Sequence, residues 1–454
     1  MTTPISEIPT IRKALGESFS KGVPRPLEWR KHQLLQLQRM LQENRDTFTE
    51  ALEKDLAKPK LENYGHELGG AMAQTVLAAE GLVDWNRPVV VETPDWQKSW
   101  KPTVHRAGKG TVVILAPWNY PIALVLQPLA GAIAAGCCAV LKPSEITPHC
   151  GEALAELIPK YLDTRAYRVV LGSVPETTAL LELQWDHIFY TGNNRVARII
   201  AAAAAKHLTP LTLELGGKSA VIVDPAYDLT LAAKRILWGK ALNCGQAHQF
   251  VVALEAAYAE FFPEGSMKSQ SIPRIVSPQH HHRLMDLLNR TRGKVIIGGN
   301  SEGKTKIEVT VIRDVRADDS LMDDYVEIFG PLLPIVPVDS IDAAIEFVRA
   351  REHALALYTF TENLELKQKI QEQTMSGAAV FGDTVMQQTV ANLPFGGIGQ
   401  SGYGRQTGKA TFDAFSYERT SIDVSKEFEQ FNAARYPPYT EEKLKALVAA
   451  STAA

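Results

Sequence analysis

From Gly110 to Lys142 the chain lays down a strand, a helix and a second strand in quick succession, and this spacing constrains its fold more than any other feature. Thr111-Val112-Val113-Ile114-Leu115-Ala116 is a short β-branched run, residues 124–136 are rich in Ala and Leu as a helix would be, and Cys138-Ala139-Val140-Leu141-Lys142 is a second apolar run. Strands that alternate with helices build βαβ units around a parallel sheet. Val169-Val170-Leu171 and His187-Ile188-Phe189-Tyr190 read as further buried strands, Ser219–Val223 as another, and Leu229–Lys240 as a helix. Before this core the pattern changes. Residues 26–90 carry Leu34, Leu35, Leu37, Met40 and Leu41 at helical spacing among charges, which predicts amphipathic helices. Residues 88–106, with Pro88-Val89-Val90-Val91, Trp96 and Trp100, suit an extended arm instead.

A chain of 454 residues exceeds one ordinary core, so two or three domains are expected. Its 45% hydrophobic and 22% charged content are those of a soluble globular protein. A net charge of −3, with acids and bases interspersed, gives no footing for nucleic acid or an anionic membrane surface. Four cysteines in a chain this long make no disulfide framework and fit a reducing compartment. The first residues show no basic and apolar leader, and no apolar run reaches the ~18–20 residues of a membrane span. The stretch Leu444–Ser451 is too short and too weakly apolar to be an anchor, so a soluble, cytoplasmic protein is expected. His280-His281-His282 is not read as a metal site, because three consecutive helical side chains face different ways; a solvated helix start is expected there, and no metal.

Several segments carry chemistry. Ala116-Pro117-Trp118-Asn119-Tyr120-Pro121 follows directly on a strand, and its two prolines fix a turn from which the Asn119 amide projects. That is a plain turn, or a donor for a developing oxyanion. Lys142 and Glu145, in Lys142-Pro143-Ser144-Glu145, end the next strand, where doubly wound folds bind nucleotides. Phe189-Tyr190-Thr191-Gly192-Asn193-Asn194 runs from a strand through a Gly turn into a helix start, the physical form of a phosphate cradle. Glu214, in Leu213-Glu214-Leu215-Gly216-Gly217-Lys218, precedes two glycines that let backbone pass close to a ligand. A partly desolvated Glu there can activate water.

Together these segments, with Glu327-Ile328-Phe329-Gly330-Pro331 and the Gly-rich Leu393–Gly402, resemble the aldehyde dehydrogenase superfamily from about residue 26 to about residue 438. Trp185–Gly192 and Arg435-Tyr436-Pro437-Pro438-Tyr439 place the likeness nearest the class-3 and fatty-aldehyde branch. The resemblance implies an α/β fold of the aldehyde dehydrogenase type: a doubly wound cofactor domain (1–87 and 107–212), an α/β catalytic domain (213–398), and an oligomerisation arm with a C-terminal segment (88–106 and 399–454). It implies NAD or NADP as cofactor, an aldehyde as substrate and a homodimer. Asn119 would stabilise the oxyanion and Glu214 would activate the deacylating water. Lys142 and Glu145 would meet the adenosine ribose hydroxyls, Gly192 and Asn193 would form the cofactor loop, Glu327 would hold the nicotinamide ribose, and Phe329 would contact the nicotinamide. Two positions depart from the pattern: Ala197 replaces a second Gly of the cofactor loop, and Gly382-Asp383-Thr384 replaces an Asn-Asp-Thr.

The larger departure follows Gln246. The family carries its nucleophilic Cys thirty-four positions after the Glu, and here that position is His248. Phe250, Val251, Leu254, Tyr258 and Phe261 then keep a helical period, so the chain goes straight into a helix where the family has a thiol and a strand. The expectation is that roughly a dozen residues near 247, a loop and one strand, are missing. An imidazole is a poor substitute for the thiolate that forms a thiohemiacetal, and Cys244 would replace it only by rearranging its loop. Removing an interior strand would also bare the ladder edges of its two neighbours. Two readings follow: NAD(P)-dependent oxidation of an aldehyde to the carboxylic acid, or an inactive homologue that binds dinucleotide or dimerises with intact subunits.

Overall fold

A computed structural model describes residues 2–245, 254–323, 327–429 and 433–452. The chain divides into two compact units, Met1–Val83 with Gly108–Ser416, and Asp84–Ala107 with Tyr417–Ala454.

The larger unit begins with helices Ile8–Ser20, Leu27–Glu43 and Arg45–Leu56. Leu34, Leu37, Met40 and Leu41 are fully buried, as their spacing predicts, whereas Leu35 is 52% exposed because it falls on the opposite side of the same helix. A π-helical stretch, Asn63–Leu68, leads into helix Gly69–Asn86.

The main sheet holds five parallel strands: β1 (Thr111–Leu115), β2 (Cys138–Lys142), β3 (Tyr167–Val169), β4 (His187–Gly192) and β5 (Leu211–Leu215). Their order is β5-β4-β1-β2-β3, and Gly402–Tyr403 adds a short antiparallel edge beyond β5. Val112 to Ile114 and Cys138 to Leu141 are wholly buried, the condition of strands covered on both faces. Helix α1 (Ala123–Ala135) makes the crossover from β1 to β2 and stops at Gly136, whose φ of 80° favours glycine. β3 sits two residues earlier than the Val-Val-Leu run suggested. Val170 still donates to Leu141, but Leu171 turns away and its N–H donates to the Thr3 hydroxyl.

After β5 the unit continues with helix Leu229–Ala241 and, beyond the undescribed segment, helix Leu254–Phe261. The helical period read from residue 250 onward is thus met from Leu254; residues 246–253 lie outside the described chain. Two three-stranded sheets follow. In one, Ala356–Phe360 lies between Val221–Val223 and Ala378–Phe381, all parallel. In the other, Thr310–Arg313 lies between Leu332–Pro334, parallel, and Lys294–Ile297, antiparallel. Residues of both sheets, among them Val221, Val311, Leu333 and Tyr358, share one buried cluster with Ile236, Leu237, Leu254 and Phe262.

Within the smaller unit, residues 88–106 are largely extended, as their composition predicts. Val89–Val90 pairs antiparallel with Thr103–Gly108, which neighbours Ser416–Ser421, and only the four residues Asp95–Lys98 are helical between the first two. Its last element is helix Glu441–Thr452.

Candidate active site

The sheet order creates the site. From β1 the chain proceeds to β2 and β3 on one side, then returns to β4 and β5 on the other, so the loops leaving β1 and β4 part from one another. Doubly wound sheets take their ligands in that crevice, outside the carboxyl ends of the strands. The expected residues collect there. Asn119 follows β1, Lys142 ends β2 with Glu145 just after it, Gly192 ends β4 with Asn193 after it, and Glu214 lies in β5 before Gly216 and Gly217.

Lys142 is buried, donates to the Pro143 carbonyl at 2.9 Å and pairs with half-exposed Glu145 at 3.2 Å. Asn193 caps helix α2 (Asn194–Ala205), its side chain accepting from Val196 N–H at 3.0 Å. Ala197 is 2% exposed, so its methyl group is accommodated in the contact where a glycine was expected. The next turn reveals a link that the sequence did not suggest. Asn194 Nδ2 donates to the Gln400 carbonyl at 2.8 Å and Arg198 donates to Gln400 Oε1 at 2.7 Å, tying the loop after β4 to the Gly-rich loop.

Glu214 is 3% exposed, and among the described residues neither of its carboxylate oxygens has a hydrogen-bond partner. Burial therefore raises its pKa well above the ordinary carboxylate range, opposed only by the charge of Arg405. It stands opposite Gly402 on one side and Thr191 on the other. This is a strand position in a dry setting, not a solvated helix end.

Asn119 has a buried Oδ1 without a partner among the described residues, while its backbone carbonyl accepts from Lys58 Nζ and from Asn243 Nδ2, each at 2.9 Å. Beside it, the Trp118 ring meets Phe329 edge-on at 5.1 Å and His280 at 5.0 Å. His280, expected in solvent, is half-buried, because this ring packs against it. Its pKa is lowered by that burial and by Arg283. Arg283 donates to the carbonyls of Glu327 and Ile328 at 3.0 and 2.7 Å, fixing the peptide that presents the Glu327 side chain toward Gly216. Phe329, next to it, has a φ of 46°.

Gln246 and His248 lie outside the described residues. Cys244 does not: it is 1% exposed, and burial, with Glu62 adding to it, pushes its thiol up to about 12. At neutral pH that thiol is protonated and shielded, so the loop conformation described here offers no thiolate at Cys244. Cys137, Cys138 and Cys150 are free and buried as well.

Dry carboxylate, amide-bearing turn and cradle around the switch point define a dinucleotide-dependent class of enzyme. The sequence profile of the aldehyde dehydrogenase family matches residues 11–421. Aldehyde dehydrogenase family 3 member B1 of Rattus norvegicus is 41% identical over 96% of both chains. The dimeric NADP-preferring aldehyde dehydrogenase of Mus musculus is 39% identical over 96% of this chain and 98% of its own. A substrate-bound AldH of Staphylococcus aureus superposes with a TM-score of 0.92 at 35% identity, covering 99% of each chain, and an NAD+ complex of an aldehyde dehydrogenase from Mycobacterium tuberculosis with 0.82 at 26% identity, covering 93% and 91%.

The chain belongs to the aldehyde dehydrogenase family, and its relatives lie in class 3 of it. Its activity is that of the family, NAD(P)-dependent oxidation of an aldehyde, and nothing in the comparisons favours an inactive homologue. Among the described residues no helix is long and apolar enough to cross a membrane.

Proposed function

We propose that the chain oxidises an aldehyde to its acid with Glu214 as base and Asn119 as oxyanion donor, and that the segment carrying the family's thiol is missing after Gln246. The observation that supports the site most is Glu214 itself, a carboxylate held dry at the end of a strand whose neighbours bear the crevice loops. A carboxylate so desolvated has a raised proton affinity and suits the activation of water. The Asn119 amide would donate to the negative charge that develops on the aldehyde oxygen.

The residues fit a dinucleotide. A Cβ at Gly192 would run into the Tyr190 hydroxyl, and one at Gly216 into Glu327, so both positions stay bare where backbone must approach a ligand. Lys142 and Glu145 would hold the adenosine ribose hydroxyls, and Gly192, Asn193 and the α2 N-terminus the phosphates. Glu327 would hold the second ribose, with Phe329 against the nicotinamide, which when bound supplies the hydride acceptor. Residues 1–87 and 107–212 would form the cofactor domain and 213–398 the catalytic domain. The arm 88–106 and segment 399–454 would join two copies into a homodimer, as the mouse relative's description as dimeric suggests. The four free, buried cysteines suit the cytoplasm.

The missing segment is supported by Cys244, whose thiol is not poised to attack, and by the two open-edged sheets. Among the described residues Val221–Val223 pairs only with Ala356–Phe360, and Leu332–Pro334 only with Thr310–Arg313. The test compares this chain with a version carrying a relative's Cys-and-strand segment after Gln246, following aldehyde-dependent NADH absorbance and thermal melting of both. The repaired version is expected to turn over faster and to melt more cooperatively than the unaltered chain. Equal turnover by the two would overturn the missing-thiol reading and send the search back to Cys244 and His248. Silence from both folded proteins would overturn the assignment of the site.

A further inference from the structure

A buried ion pair stands behind the turn that carries Asn119. Lys58, in the loop after helix Arg45–Leu56, and Glu67, in the π-helical stretch, are joined at 2.9 Å with both side chains fully shielded from solvent. Lys58 Nζ spends its other contacts on the same turn: it donates to the Asn119 carbonyl at 2.9 Å and lies 4.0 Å above the centre of the Tyr120 ring. The second oxygen of Glu67 accepts from Ala123 N–H at 2.9 Å and from Ile122 N–H at 3.3 Å, at the start of α1. One ion pair thus grips the middle and the far end of the segment between β1 and α1.

A buried ion pair is an expensive way to gain stability, because taking two charges out of water offsets most of their attraction. Retaining one here makes sense if it fixes geometry. The Asn119 carbonyl has two donors, Lys58 and Asn243, which together restrain its peptide plane and with it the direction from which the side chain leaves. Asn243, wholly buried, is itself at a φ of 51°, followed by Cys244 at 54°. Two successive non-glycine residues in the left-handed region are strained and persist only where surrounding contacts hold them.

We propose that Lys58, braced by Glu67, is the positioning residue for Asn119, so that loss of the ammonium group weakens recognition of the aldehyde oxygen although Lys58 never touches the substrate. This rests on Asn119 being the oxyanion donor, and the test separates the two. Lys58→Met alone leaves Glu67 a lone buried charge, so Lys58→Met/Glu67→Gln, which is neutral and keeps one oxygen to accept from the α1 N–H groups, is made beside it, with Lys58→Arg as the conservative variant.

The first readout is fluorine NMR of fluorotryptophan-labelled full-length protein, with the Trp118 signal identified from Trp118→Phe. In the neutral double variant the Trp118 signal should move or broaden while the other tryptophan signals stay, and Lys58→Arg should restore part of its position. An unmoved Trp118 signal in a folded variant overturns the proposal whatever the enzyme does. The second is the affinity for benzaldehyde in saturating NAD+. The neutral variant should bind about tenfold more weakly, and in an Asn119→Ala background the same change should have no further effect, as expected of residues acting as one unit. Full additivity would mean that Lys58 does not act through Asn119. Absence of benzaldehyde binding in the parent chain would instead count against the active-site reading, with the Trp118 signal still deciding the role of Lys58.

Discussion

Two stretches of the larger unit, each built of strands and helices, differ in how completely they close. Residues 111–215 give five parallel strands in one sheet, with β1, β2 and β4 each paired along both edges. Residues 221–381 give two sheets of three strands around one shared core, and among the described residues neither Val221–Val223 nor Leu332–Pro334 has a second ladder partner. The first stretch carries the loops proposed to hold the cofactor, and the second spans, in sequence, the position where a thiol was expected. The contrast teaches that binding and chemistry rest on separate frameworks: the loops that would cradle a dinucleotide depend on β1, β2, β4 and β5, none of which belongs to either three-stranded sheet.

Hydrogen exchange gives the sharpest way to break that contrast. Backbone amides of β1 and β2 should exchange at least about a hundredfold more slowly than those of Val221–Val223 and Leu332–Pro334, because open ladders are lost in local rather than global unfolding. Equal protection would mean that another segment completes the second stretch. The next effect concerns affinity. Lys142→Ala should weaken NAD+ binding about tenfold to hundredfold, the range of one hydrogen bond from a charged donor. Titration of NAD+ by fluorescence checks it, and an unaltered dissociation constant would remove Lys142 from the cofactor site.

How much of this was legible in the sequence also divides along the same line. The strands of the main sheet declared themselves because Thr111–Leu115 and Cys138–Lys142 are continuous apolar runs of strand length, and the helix between them ends at a glycine that a left-handed φ requires. The candidate residues Asn119, Lys142, Glu145, Gly192, Asn193 and Glu214 were legible because each lies at or just past the carboxyl end of such a strand. Contacts between side chains distant in sequence were not legible. Lys58 read as one charge among many in an amphipathic helical region, and nothing local distinguishes a lysine that snorkels into water from one that reaches Glu67 and Asn119. Arg283 on the Glu327 carbonyl and Gln400 between Asn194 and Arg198 are of the same kind. His280 was misjudged for that reason too: helical periodicity separates it from its histidine neighbours but says nothing of Trp118 arriving from a strand end far away.

A smaller effect tests whether Glu214 is as dry as its setting indicates. Its folded-state pKa lies above the unfolded value, so the folded protein binds that proton more tightly. The stability this contributes is complete below the unfolded pKa and is lost as pH rises through the folded one. Glu214→Gln should therefore raise the melting temperature at pH 8 relative to the parent and leave it unchanged near pH 4, while abolishing base catalysis in any version that turns over. A lower melting temperature for the variant at pH 8 would show that the carboxylate is paired in solution and not waiting for a substrate.

The smallest expected effect lies at Glu62, on the seam between the two stretches. Its carboxylate accepts from the Asn243 N–H at 3.2 Å, and burial, opposed by Lys58, raises its pKa from 4.5 to about 7. The folded state thus holds this proton through a window in which the unfolded chain has released it, and stability falls as pH climbs from about 4.5 to about 7. His66, one turn on, pulls the other way, its pKa lowered by burial and by Lys58, so that charging it costs stability as pH falls. The two slopes oppose each other. Glu62→Gln removes one of them: its melting temperature should exceed the parent's at pH 7.5 and converge with it toward pH 4.5. A Glu62→Gln curve parallel to the parent's would mean that Glu62 ionises as an ordinary surface carboxylate, and the turn at Asn243 would then need another support.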